Sequence, residues 1–168
     1  MSTTQPIRSK QLLHDFKEYY LTKQPNSRNY TLILIGLNTA LRINDILHLT
    51  WGDVYCTEHS RFYTHLLITE KKTEKETRIL INRELQETLL SYRKTQTSIA
   101  DTDYLFPSPR KADSPLSRYQ AYRIVRKAAE AVGIEDVIRC HSLRKTFGYH
   151  AWKMGTPPAL LMEIYNHS

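Results

Sequence analysis

The stretch HSLRKTFGYHAW, residues 141–152, sets His141 three positions ahead of Arg144, and ALRINDIL, residues 40–47, sets Arg42 three positions ahead of Asp45. Three residues is close to one helical turn, so on a helix His141 and Arg144 share a face. A guanidinium offers a planar fork of donors that fits paired anionic oxygens, and an imidazole beside it can donate or exchange a proton. Arg42 stands in a mostly apolar stretch, where a buried charge without a partner is costly. Asp45 is a ready partner for Arg42 or for His141. A single His-x-x-Arg is a weak signal, and the question is what a histidine and two arginines could gather around.

The charge pattern suggests an anion of some size. The chain of 168 residues has a net charge of +7 and is 40% hydrophobic, enough for one domain with its own core. Residues 110–153 carry ten Lys/Arg, among them Arg118, Arg123, Arg144 and Lys145, against four acids. Nearly all of the surplus therefore lies in one quarter of the chain, as a nucleic-acid footprint requires; a solvated basic face is the plainer alternative. Cys56 and Cys140 have no CxxC neighbour, which points to neither a zinc site nor a disulfide framework and suits a reducing cytoplasm. The N-terminus lacks an apolar h-region, and the longest apolar run, LILIG, is too short for a bilayer.

The elements that must position these residues are mostly helical. SKQLLHDFKEYYLTK has apolar residues at one helical face, with Ser9 as N-cap; NSRNYTLILIGLNTAL reads as a more buried helix and RINDILHLTW as a short one. RFYTHLLIT and TRILI are β-rich and flank EKKTEKE, which predicts a hairpin with a basic tip carrying Lys71, Lys72 and Lys75. Further helices are NRELQETLLSYRK; SRYQAYRIVRKAAEAVG, with Ser117 as N-cap and Gly133 past its end; HSLRKTFGYHAWKMG, stopped by Gly155; and TPPALLMEIYNHS, with Thr156 as cap and Pro157 at the first helical position. The fold class is mainly α with a small antiparallel β-sheet. Phe147, Tyr149 and Trp152 are expected in the core, and His14, His48, His59, His65 and His150 in structural or solvent-exposed places.

Taken in order, TALRINDILHLTWGDV, ITEKKTEKETRILI, HSLRKTFGYHAW and a final His167 resemble the four boxes of the tyrosine recombinase, or phage integrase, catalytic domain. The resemblance covers the whole chain and implies that family's DNA breaking-rejoining fold. It implies that Arg42, Lys72, His141, Arg144 and His167 form the catalytic set, with Asp45 in support. Negative charge grows on the non-bridging oxygens of a phosphodiester under attack, and two guanidinium forks can hold both, so Arg42 and Arg144 are the expected clamp. By the same resemblance Lys72 protonates the departing 5′ oxygen, His141 handles the nucleophile's proton or bonds the phosphate, and His167 donates to that phosphate. Lys71, Lys75, Arg118, Arg123 and Lys145 are the expected DNA contacts. Neither metal nor cofactor is called for, since fixed cations replace them.

The family's nucleophile is a tyrosine beyond the second histidine, and the sequence stops at Ser168. Tyr165 precedes His167 and is expected to point elsewhere. The 168 residues are thus expected to be a single catalytic domain without its C-terminal tyrosine segment and without an N-terminal core-binding domain, inactive in cleavage by themselves. The expected partner is double-stranded DNA, with a homotetramer on DNA for the intact protein and a monomer for this piece, encoded by a bacterium or phage. A non-enzymatic DNA-binding module and a type IB topoisomerase-like domain are the alternatives.

Overall fold

The computed structural model describes residues 3–69 and 74–165. Its centre is a helix whose middle is buried on every side. α1 (Lys10–Glu18) starts at Ser9, whose hydroxyl accepts the Leu12 N–H at 3.2 Å, and runs into a wider π-helical turn over Tyr19–Lys23. α2 (Ser27–Thr39) buries Leu32, Ile33, Leu34 and Ile35 in succession, as a helix enclosed by neighbours must. α5 (Arg83–Lys94) and α7 (Cys140–Lys153) flank it. Gly36 lets α7 approach closely, because a Cβ there would press on the Leu143 side chain.

Between α2 and α5 lie α3 (Ile43–Leu47), α4 (Trp51–Val54) and two antiparallel pairs. β1 (Tyr55–Cys56) pairs with β2 (Arg61–Phe62), and β3 (His65–Thr69) pairs with β4 (Glu76–Leu80) in a register running from His65 opposite Leu80 to Thr69 opposite Glu76. The sequence reading expects one small sheet, whereas the described residues hold two separate two-stranded ones. β1 and β2 are too short to give an alternating pattern, and the tight turn between them places Ser60 at φ 50.

α6 (Arg118–Ala131) opens with a reciprocal cap, the Gln120 N–H donating to Ser117 Oγ at 3.1 Å and the Ser117 N–H to Gln120 Oε1 at 3.0 Å, and ends before Gly133 at φ 81. α8 (Pro158–Ile164) begins one residue later than the sequence suggests: Pro157, not Thr156, is the N-cap, and Pro158 takes the first position. Either proline suits a site where no N–H is needed, so the dipeptide did not fix the boundary. Trp152 departs further from expectation. It is 52% exposed, on the part of α7 beyond the core, where it lies beside Tyr149 and the Lys153 ammonium.

The N-terminal segment is fastened along α7. The Ile7 N–H donates to Thr146 Oγ1 at 2.9 Å, the Thr146 hydroxyl donates to the Ser142 carbonyl, and Ile7 is buried. Replacing Thr146 by valine preserves shape but leaves the Ile7 N–H buried without an acceptor. The expected loss is about 1–3 kcal/mol of unfolding free energy. Denaturant titration checks this, and an unchanged midpoint would show that the segment does not depend on the bond.

Candidate active site

An open cleft of about 1180 Å³ gathers residues from distant parts of the chain. Its walls are the α2–α3 turn, the inner positions of the β3–β4 hairpin, the first turns of α6 and α7, and Tyr165 at the end of α8. Arg42, Asp45, Arg118, His141 and Arg144 all line it.

The α2–α3 turn explains how an arginine emerges from an apolar stretch. Ala40 ends α2 at φ 57, a left-handed conformation costing an L-residue about 1–2 kcal/mol. The reversal buries Leu41 and leaves Arg42 exposed as the N-cap residue of α3, in the cleft wall. Arg42 therefore needs no buried counter-ion. Among the described residues it makes no ion pair with Asp45, whose charge acts instead on Arg144.

Arg144 is the opposite case. It is only 7% exposed, and its donors go to main-chain oxygens: Nε to Ala40 O and Nη2 to Tyr165 O, each at 2.7 Å. The Tyr165 ring lies against the guanidinium, 4.6 Å from Cζ to centroid. Burial, and then the Arg42 charge, push the Arg144 pKa down, while Tyr165 and Asp45 oppose them. A guanidinium stays protonated in proteins, so the cleft floor holds a desolvated cation with a second cation nearby. Such a site is organised in advance for an anion.

His141 is exposed in the first turn of α7 and faces the same cleft. The positive end of that 14-residue helix adds to the field there. Its neighbour Cys140 has its thiol pushed up to about 11 by burial, so it stays protonated and offers no thiolate nucleophile. Among the described residues no group of three or more His, Cys, Asp or Glu could hold a metal ion.

The other candidates divide. Arg123 is exposed on α6, and Lys75 is exposed just before β4. Lys145 is partly buried and donates to the Thr4 carbonyl at 2.7 Å, so its ammonium points back to the N-terminal segment. Lys71, Lys72 and His167 lie outside the described residues. Ile68, Thr69, Thr77 and Ile79, on β3 and β4, line the cleft.

Sequence reasoning missed Tyr165, Tyr122 and Arg139. Tyr165 is expected to point elsewhere, yet it packs on Arg144. The available signal was Gly148, one turn after Arg144, whose missing Cβ makes room for the phenol. Tyr122 and Arg139 line the cleft together, with the Arg139 guanidinium 6.0 Å from the Tyr122 ring.

Residues 5–168 match the phage integrase family. The probable integrase/recombinase YoeC of Bacillus subtilis (strain 168) is 44% identical over 168 residues, spanning 100% of this chain and 86% of the relative. Among solved structures, the XerA recombinase superposes with a TM-score of 0.79 at 21% identity, over 99% of this chain and 57% of that one. The Tn1549 transposon integrase (residues 82–397), in complex with circular intermediate DNA, gives 0.70 at 21% identity, over 100% and 59%. This chain thus spans under two thirds of the solved chains it resembles, and at such identities the likeness establishes the fold, a tyrosine recombinase catalytic domain.

Proposed function

Because the chain belongs to the phage integrase family, we propose that it is the catalytic domain of a site-specific tyrosine recombinase, which cleaves and rejoins double-stranded DNA through a 3′-phosphotyrosyl intermediate during integration, excision or inversion. The observation that carries this reading is the pairing of a buried Arg144 with an exposed Arg42 and His141 in one cleft. Arg42 and Arg144 hold the non-bridging oxygens as their charge grows, and His141 takes the nucleophile's proton or bonds the phosphate. Lys72 protonates the leaving 5′ oxygen, His167 donates to the phosphate, and Asp45 tempers the charge of the arginine pair. The nucleophile this reading requires is a tyrosine that none of the four boxes supplies, and the cleavage step is assigned to the gene product that carries it.

Arg118 at the cleft rim and Arg123 farther along α6 contact the DNA backbone, together with Lys71 and Lys75. Lys145, tethered to Thr4, adds to the local field. The intact protein acts as a homotetramer on DNA in a bacterial cytoplasm, while this domain by itself is a monomer. Among the described residues no helix is long and apolar enough to cross a membrane.

The test is a suicide duplex carrying the element's own end sequences, incubated with the intact gene product. A covalent protein–DNA band that disappears when one tyrosine beyond residue 168 becomes phenylalanine is the expected result. Binding without any band on a duplex containing the true crossover would instead identify a non-enzymatic DNA-binding protein.

A further inference from the structure

Arg144 donates through one edge of its guanidinium. Nε and Nη2, the side edge, donate to the Ala40 and Tyr165 carbonyls. A guanidinium has five N–H donors in a fixed fork, so one Nη1 proton and the second Nη2 proton remain as an end edge, with the other Nη1 proton directed back beside Cδ. Among the described residues Nη1 has no hydrogen-bond partner.

Tyr165 is tied to Arg144 three times. Its carbonyl accepts from Nη2, its ring covers the guanidinium face at 4.6 Å, and its hydroxyl donates to the Arg144 carbonyl at 2.8 Å. Phe147 meets the same ring edge-on at 6.4 Å. Gly148 makes the arrangement possible, since a Cβ there would overlap the Tyr165 hydroxyl. Burial holds the phenol pKa up against the pull of Arg144, so the hydroxyl keeps the proton it donates.

We propose that Tyr165 is a positioning residue, holding the side edge and face of the Arg144 guanidinium so that its end edge meets both non-bridging oxygens of a phosphodiester. This rests on the reading of the cleft as a phosphodiester site. A flexible arginine would have to find that geometry anew at each encounter. Here the stack and the tether set it before the anion arrives.

The experiment is guanidinium NMR on the intact gene product labelled with ¹⁵N-arginine, using inorganic phosphate and a duplex of arbitrary sequence as probes. In the wild type, the Arg144 Nε proton exchanges slowly, the Nη signals are resolved, and both probes shift them. Tyr165→Phe keeps the ring and the carbonyl and stays within about threefold of wild type. Tyr165→Leu keeps an apolar side chain but no aromatic face, and with Tyr165→Ala it speeds Nε–H exchange and weakens phosphate binding about tenfold, the scale of a desolvated cation–π contact. Gly148→Ala, by displacing the phenol, reproduces the Tyr165→Ala spectrum; should it not fold, the Leu and Ala variants decide. Folded Tyr165→Leu and Tyr165→Ala proteins with wild-type exchange and phosphate affinity would overturn the proposal. Tyr165-dependent exchange without any wild-type response to either probe would overturn the phosphodiester reading, and with it the role given to the tether.

Discussion

In the intact gene product, Arg144→Lys abolishes strand cleavage while most DNA binding remains. Arg144 donates at once to Ala40 O and Tyr165 O from one edge, which leaves its end edge for the proposed anion. Lysine retains the charge but has three donors on a rotating head, so it cannot satisfy both carbonyls and also grip two phosphate oxygens. It also leaves the Tyr165 ring without a planar partner. Removing one fixed donor from a developing oxyanion typically costs 10²–10³ in rate, and cleavage should fall by roughly that factor or more. Single-turnover cleavage on a suicide duplex measures this, with anisotropy on the same duplex reporting binding. A wild-type rate for the lysine variant would remove Arg144 from the clamp.

The second large effect is that of salt on binding. The basic surplus of residues 110–153 lies on exposed positions such as Arg118, Arg123 and Lys127, while Lys145 is partly buried. If about six phosphates are contacted, affinity should fall about 10³-fold between 50 and 200 mM salt as condensed counterions are displaced. Arg118→Ala and Arg123→Ala should each reduce the slope of log K against log salt by about 1, whereas a base-reading residue would alter sequence preference instead. A flat salt response would show that the basic face is merely solvated.

How far the sequence carried depends on what kind of interaction holds each part. Ser117 and Gly133 bracket α6 because caps and left-handed stops are local, and local geometry leaves residue-type signatures. The three-residue spacing of His141 and Arg144 on α7 is local in the same way, whereas their meeting with Arg42 in one cleft depends on how α3 and α7 pack. The partners of Arg144 and Lys145 were not legible. Both donate to main-chain carbonyls, 21 residues away in Tyr165 and 141 away in Thr4, and every residue has a carbonyl. The fastening of Ile7 to Thr146 was hidden for the same reason. Arg42 was read as a charge in an apolar setting, but the left-handed Ala40 turns it outward, and an alanine gives no sign of such a backbone.

Whether this cleft holds a phosphodiester is decided by a crystal structure of the intact gene product on duplex DNA, read for the distance from Arg144 Nη1 to the nearest phosphate oxygen. The expected distance is about 2.7–2.9 Å, with Arg42 on the same phosphate and the Ala40 and Tyr165 carbonyl bonds intact. A duplex seated on the protein with no phosphate at the Arg144 end edge would contradict it.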